Sequence, residues 1–299
     1  VDSDRFFGVL VLFLSLALAA SVGLARDLAE IGEDGALRHL AVPYANFYTG
    51  LGDGLDVELI RGFAAHLGVS YELVETRWED VFGDLTGRDA RREAAHAELL
   101  GETPIRGDLI ANGMTILDWR AEVVDFSLPT FPSAVWLVAR ADSDLAPIAP
   151  SGSLAEDIRQ VRGKLPGRRV LALANTCLDP DLYRMEATGA EVVLQPQGRR
   201  LNEMVPAILN RDAESTLLDV PDALIALERW PGRIKVIGPI SQEQRMAVAF
   251  RKDSPELRAA FNAYLQRIGR DGTYAQLVEK YYPAVFDYYA DFFHGPAAP

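Results

Sequence analysis

The sequence predicts an α/β protein of two lobes, each a mostly parallel sheet flanked by helices, with a cleft between them. Three observations carry this. Strand-like and helix-like patterns alternate from residue 37 to residue 239, the order that builds parallel sheets under covering helices. A stretch rich in Pro, Ser and Asp, "ADSDLAPIAPSGS" (141–153), splits the alternation into two series. The length, 299 residues, suits two domains of ordinary size.

The elements follow in order. "LRHLAVPY" (37–44) reads as a strand. "LDVELIRGFAAHLG" (55–68) has apolar residues at Leu55, Leu59, Ile60, Phe63 and Leu67, the spacing of an amphipathic helix, and Gly68 stops it. "VSYELVET" alternates as a strand does. "WEDVFGDLTG" is a short helix, and the charged segment 87–107 is expected to form a solvated helix on the surface. "DLIANGM" (108–114) and "AVWLVAR" (134–140) are strands. After the break come strand 168–175, helix 180–189, strand 190–196, helix 201–212, strand 215–220, helix 221–230 and strand 233–239. "MAVAF" is a strand. Ser254, Pro255 and Glu256 start a long helix in the N-cap, first and second helical positions. "TYAQLVEKYYP" is a further helix, ended by Pro283. The aromatic tail from 284 either packs back on the body or serves as a docking segment.

We place a signal segment at 1–25, the first lobe at 27–140 and 241–299, and the second lobe at 141–240. "FFGVLVLFLSLALAASVGLA" (6–25) is apolar and uncharged. Gly23 and Ala25 sit at the −3 and −1 positions of a small-residue cleavage site. The segment reads as a secretory signal, with an uncleaved anchor as the alternative. The net charge of −13 disfavours nucleic acid as a partner. The single Cys177 rules out an internal disulfide and any Cys-rich zinc site, and it reads as a small apolar residue. His39, His66, His96 and His294 are scattered, without metal-ligand spacing. No phosphate loop, nucleophile elbow or zincin motif is present, so no cofactor is expected.

The most informative stretch is "GMTILDWRAEVVDFSLP" (113–129). Thr115 follows an apolar strand, and α/β sheets bind ligands outside the carboxyl ends of their strands. Arg120, five residues on, has two readings. It grips a carboxylate with paired hydrogen bonds, or it is a surface residue paired with Asp118 or Glu122. Asp219, just before Pro221, reads either as a ligand-facing carboxylate or as a helix N-cap.

"GLDVELIRGFAAHLGVSYELVE", "GDLIANGMTILDWRAEVVDFSLPTF" and "STLLDVPDAL" resemble the periplasmic amino-acid-binding proteins of ABC importers, the family 3 extracellular solute-binding proteins. The resemblance covers most of residues 37–283 and implies the type II periplasmic binding fold, with a ligand cleft between lobes. Arg120 then matches the residue that holds a ligand α-carboxylate. Thr115 matches the hydroxyl beside it, and Gly113 the backbone near the ligand. Asp219 matches the acceptor of the ligand ammonium. Tyr44 and Phe47 fall where aromatic walls stand. Asn175 and Thr176 match a second-lobe loop at a helix start, which favours anions. Leu117 and Asn175 depart from the usual Thr or Ser and Gly, which leaves the ligand's identity open.

The resemblance implies a periplasmic, monomeric protein. It captures a small carboxylate-bearing solute, an amino acid above all, for an inner-membrane ABC permease. A periplasmic enzyme of the cyclohexadienyl dehydratase type, with Asp219 or Glu214 drafted as acid, is one alternative. A sensory or accessory module of a redox or cell-wall system is the other.

Overall fold

The computed structural model describes residues 26–196 and 201–294; the segment read as a signal lies outside them. The chain opens with α1 (Leu28–Asp34), β1 (Ala36–Ala41), α2 (Leu55–Leu67), β2 (Ser70–Glu75) and α3 (Val81–Thr86). It continues through β3 (Arg88–Glu93), β4 (His96–Glu102), β5 (Leu109–Ile110), α4 (Asp118–Val123), β6 (Asp125–Phe126) and β7 (Phe131–Ser133). The second series is β8 (Val135–Arg140), α5 (Leu154–Gly163), β9 (Arg169–Ala172), β10 (Glu191–Leu194), α6 (Met204–Leu209), β11 (Ser215–Asp219), α7 (Val220–Arg229) and β12 (Ile234–Pro239). The return comprises β13 (Gln244–Met246), β14 (Ala249–Phe250), α8 (Pro255–Arg270), α9 (Thr273–Tyr281) and α10 (Phe286–His294).

Two five-stranded sheets result, β2-β1-β5-β14-β6 and β10-β9-β11-β8-β12. Each is mixed. β1 runs parallel to β2 and β5, and β9 parallel to β10 and β11, while β14 and β8 enter antiparallel to both their neighbours. The two passages between the sheets pair with each other as β7 and β13. The first crossing therefore lies at Phe131–Val135, ahead of residue 140. "AVWLVAR" belongs to the second sheet because it supplies the ladder between β11 and β12.

Apolar periodicity explains α2. Leu55, Leu59, Ile60 and Phe63 are fully buried, and Phe63 meets Phe261 of α8 edge-on at 5.2 Å. Burying each such side chain contributes about 1.5–3 kcal/mol. Gly68 closes the helix in the left-handed conformation. Ser254 occupies the N-cap of α8, but its hydroxyl donates to the Arg26 carbonyl. The cap comes instead from Asp27, whose carboxylate accepts from the Glu256 and Leu257 N–H groups at 3.1 and 2.7 Å.

Two local expectations change, and one open alternative is decided. Segment 87–107 is a β-hairpin, not a helix. Arg88 faces Glu102 and Arg91 faces Glu98 across its strands, the latter pair at 2.7 Å, and Ala90 turns inward. Alternation and cross-strand charge outweigh the helical propensity of its Ala, Glu and Leu residues. Segment 180–189 forms two short 3-10 turns. The aromatic tail packs back on the body. Phe293 is buried against Phe131 and Phe286, with ring centroids at 5.9 and 4.9 Å. Among the described residues no helix is long and apolar enough to cross a membrane.

Asp56, in the first turn of α2, sits wholly inside the first lobe and accepts from the Gly113 N–H at 2.7 Å. Burial raises its carboxyl from 3.8 to about 7, partly opposed by that hydrogen bond. The folded state thus keeps a proton that the unfolded chain has already released. Stability is fullest at the acid end and falls as pH rises from about 4 to about 7. Asp56→Asn still accepts from Gly113 and is expected to flatten that part of the decline, read as melting temperature against pH. An unchanged profile would contradict the assignment.

Candidate functional site

The carboxyl end of β5 turns at Gly113 and leads to α4. Gly113 has φ +65°, and a Cβ there would come within 2.4 Å of the Phe47 ring. Glycine is required on both counts. This turn carries Thr115 and Arg120 into a crevice between the sheets. Gly113, Thr115 and Arg120 line it from the first lobe together with Tyr44 and Trp78, and Thr176, Cys177 and Leu201 line it from the second.

Arg120 is 3% exposed, between the indoles of Trp119 and Trp78 at 5.5 and 5.9 Å from the ring centroids. It donates from Nη1 to the Thr115 carbonyl at 2.9 Å, and its Nε has no partner. Among the described residues no carboxylate forms an ion pair with it. Asp118 is exposed, and Glu122 serves the hairpin through His96 and the Ala97 N–H. The surface-pair reading of Arg120 is therefore not what the structure holds. Burial lowers the pKa of Arg120, offset by Cys177, Tyr183, Asp219 and Tyr44. The Thr115 hydroxyl, 1% exposed, makes no close hydrogen bond among the described residues and has the Cys177 thiol as its neighbour.

Asp219 ends β11 and caps α7, accepting from the Asp222 N–H at 3.3 Å. The N-cap reading is thus what the structure shows, and the carboxylate lies behind the crevice wall, against Tyr44 and Cys177, which line it. The carboxylate accepts from the Tyr44 hydroxyl of the opposite lobe and from the Cys177 thiol at 3.4 Å. Burial pushes the Asp219 carboxyl up, against the pull of Tyr44, Cys177, the Asp222 N–H and Arg120. The Cys177 thiol is likewise raised, by burial and then by Asp219. The lobes are closed on one another: the space left in the crevice beside Arg120 is about 10 Å³, room for about one water.

Two expected site residues lie elsewhere. Phe47 is fully buried behind the crevice, stacked among Tyr44, Phe131 and Tyr282. It is core that shapes the Gly113 turn, not a wall. Asn175 is exposed in a left-handed conformation, φ +61°. No helix starts beside it. Asp179 fills the nest that an anion would use, accepting from the Asn175 and Asp181 N–H groups at 2.8 and 3.0 Å. Arg92 of the hairpin pairs with Asp179 at 2.7 Å, which ties the insert to the second lobe. The Thr176 hydroxyl is engaged by the Leu173 carbonyl and the Leu178 N–H. The Gly113 N–H is committed to Asp56. Sequence reasoning missed Trp78, Cys177 and Leu201. Only Trp78 left a signal, an aromatic at the start of a helix pattern.

Residues 105–284 match the profile of the bacterial extracellular solute-binding proteins, family 3. The chain belongs to this family. Among curated relatives of this family 3 chain, membrane-bound lytic murein transglycosylase F of Desulfosudis oleivorans is 28% identical over 293 residues. The alignment takes in 94% of this chain and 58% of the transglycosylase, so the chain spans little more than half of that relative's length. L-cystine-binding protein TcyJ of Escherichia coli is 24% identical over 234 residues, 77% of this chain and 74% of TcyJ. Solved structures share the fold. A mutant of ArgBP from T. maritima matches with a TM-score of 0.67 at 22% identity, over 86% of this chain and 99% of that one. An ancestral amino acid-binding protein, a precursor of cyclohexadienyl dehydratase, matches with a TM-score of 0.65 at 22% identity, over 85% and 98%. The family 3 assignment thus makes solute binding the ground state of this scaffold.

Proposed function

We propose that the protein captures a small α-amino acid between its lobes. Arg120 and the Thr115 hydroxyl take the carboxylate, Asp219 takes the ammonium, and Tyr44, Gly113 and Thr176 close around them. The observation that carries the reading is a buried guanidinium with an unpaired Nε beside the Thr115 hydroxyl, in a crevice whose Tyr44 and Cys177 walls are backed by the buried Asp219 carboxylate. Buried polar groups are nearly always satisfied, so an unpaired guanidinium Nε with a hydroxyl beside it in one crevice calls for an anionic guest.

Binding requires the lobes to part and the Tyr44–Asp219 contact to break, after which closure buries the ligand in a low-dielectric site. The protein then acts in the periplasm, secreted through its N-terminal segment, as a monomer that delivers its solute to an ABC permease. The test is calorimetric titration with an amino acid series, each member matched with its des-amino acid. We expect the amino acids to bind more tightly than their partners. Absence of heat from every carboxylate would refute the reading.

A second reading has its own support. The alignment with the transglycosylase runs through almost the whole of this chain. The binding unit then acts as a sensory module of a cell-wall system, with the same crevice chemistry and a different receiver.

A further inference from the structure

A larger cavity lies along α7, outside the Arg120 crevice. It measures about 190 Å³ and is formed between α7 and the first-lobe loop that carries Asn46 and Thr49. A cavity of about 150 Å³ is enough for a benzene-sized guest. From α7 it is lined by Asp222, Ile225 and Arg229, with Trp230 beside them, the spacing of one helical face.

The two ends of this face carry an acid and a base. Asp222 is 6% exposed, and among the described residues no donor or cation is paired with its carboxylate. Its nearest charge is of the same sign, Asp219 one turn earlier. Burial and that neighbour push the Asp222 carboxyl well above the usual carboxylate range. Arg229 is exposed at the other end, held over the Trp230 ring at 5.1 Å and ion-paired with no carboxylate among the described residues. Seven residues of helix separate the two, about 10 Å along the axis. An α-amino acid, with its charges on adjacent carbons, is too short to meet both.

We infer that this cavity is a second binding site, for a solute with an ammonium and a carboxylate held several carbons apart, an ω-amino acid in its chemical class. The ammonium sits on Asp222 at the buried end, the methylene chain runs past Ile225, and the carboxylate reaches Arg229 at the mouth. The site shares no lining residue with the Arg120 crevice, although the same two lobes bound it.

The test uses the full chain carrying Arg120→Ala and Asp219→Asn, so that the first crevice offers neither charge, titrated with 5-aminopentanoate, pentylamine and pentanoate. The expected result is saturable binding of 5-aminopentanoate, weaker binding of pentylamine and none of pentanoate. Adding Asp222→Asn should weaken 5-aminopentanoate at least about tenfold, and Arg229→Gln about threefold or more, the scale of losing one charge partner. Ile225→Trp fills the cavity with Asp222 intact and should also remove binding, which separates occupancy from any effect on folding. The inference is overturned if 5-aminopentanoate gives no heat. It is equally overturned if pentanoate binds as well, or if Asp222→Asn and Ile225→Trp both leave the affinity unchanged.

Discussion

Arg120→Ala is expected to lose binding of every carboxylate ligand by about 2–5 kcal/mol, roughly 30-fold to several-thousand-fold. The size follows from burial. The guanidinium is wholly inside the protein, flanked by two indoles, and among the described residues its only acceptor is the Thr115 carbonyl. A ligand carboxylate would meet a charge that is already desolvated, so the pairing is not screened as a surface pair is. The same fact gives the prediction a second readout. A buried cation without a carboxylate destabilises the empty protein. Arg120→Met, which keeps an apolar stem between Trp119 and Trp78, should bind no carboxylate and melt at or above the wild-type temperature. A structural arginine would show the opposite, a lower melting temperature with affinity kept. Unchanged affinity by calorimetry in both variants would end the assignment.

The site was legible in sequence where chemistry and local pattern coincide. The Gly-Met-Thr turn and the strand before Pro221 drew attention to Thr115, Arg120 and Asp219, and the family resemblance, not the local pattern, supplied their candidate roles. What sequence did not reveal depends on which faces meet after folding. Phe47 and Tyr44 are three residues apart in one aromatic loop, yet Tyr44 reaches across to Asp219 while Phe47 backs the Gly113 turn. Cys177 read as a bland apolar residue, and nothing nearby in sequence reveals that Asp219 lies against its sulfur. The fold was legible for the same reason and failed for the same reason. The period of α2 is local, so its helix was plain. The hairpin at 88–102 has the composition of a helix, and its pairing of Arg88 with Glu102 and Arg91 with Glu98 is non-local. Strand 135–140 reads as a strand either way, and only its partners, β11 and β12, assign it to the second sheet.

Asp219→Asn separates the role that the structure gives this residue, the N-cap of α7, from the ligand-binding role proposed for it. As the N-cap of α7, Asp219 needs only an oxygen to accept from the Asp222 N–H, and asparagine supplies one. As the partner of a ligand ammonium it needs its charge. The substitution should therefore leave the fold in place and weaken α-amino acids by about 2–5 kcal/mol, with little change for the matched des-amino acids. The pH dependence carries the same signature. Burial raises the Asp219 carboxyl, so the empty folded state holds its proton after the unfolded chain has lost it. That contribution to stability is complete below the unfolded pKa and declines as pH rises toward the folded one. An ammonium guest needs the ionised form and thus binds more tightly across the same rise, until Asp219 is fully deprotonated. In Asp219→Asn both trends should lose this component. Equal losses for amino acids and des-amino acids would mean that the carboxylate serves the helix alone and that the ammonium, if the ligand has one, is held elsewhere.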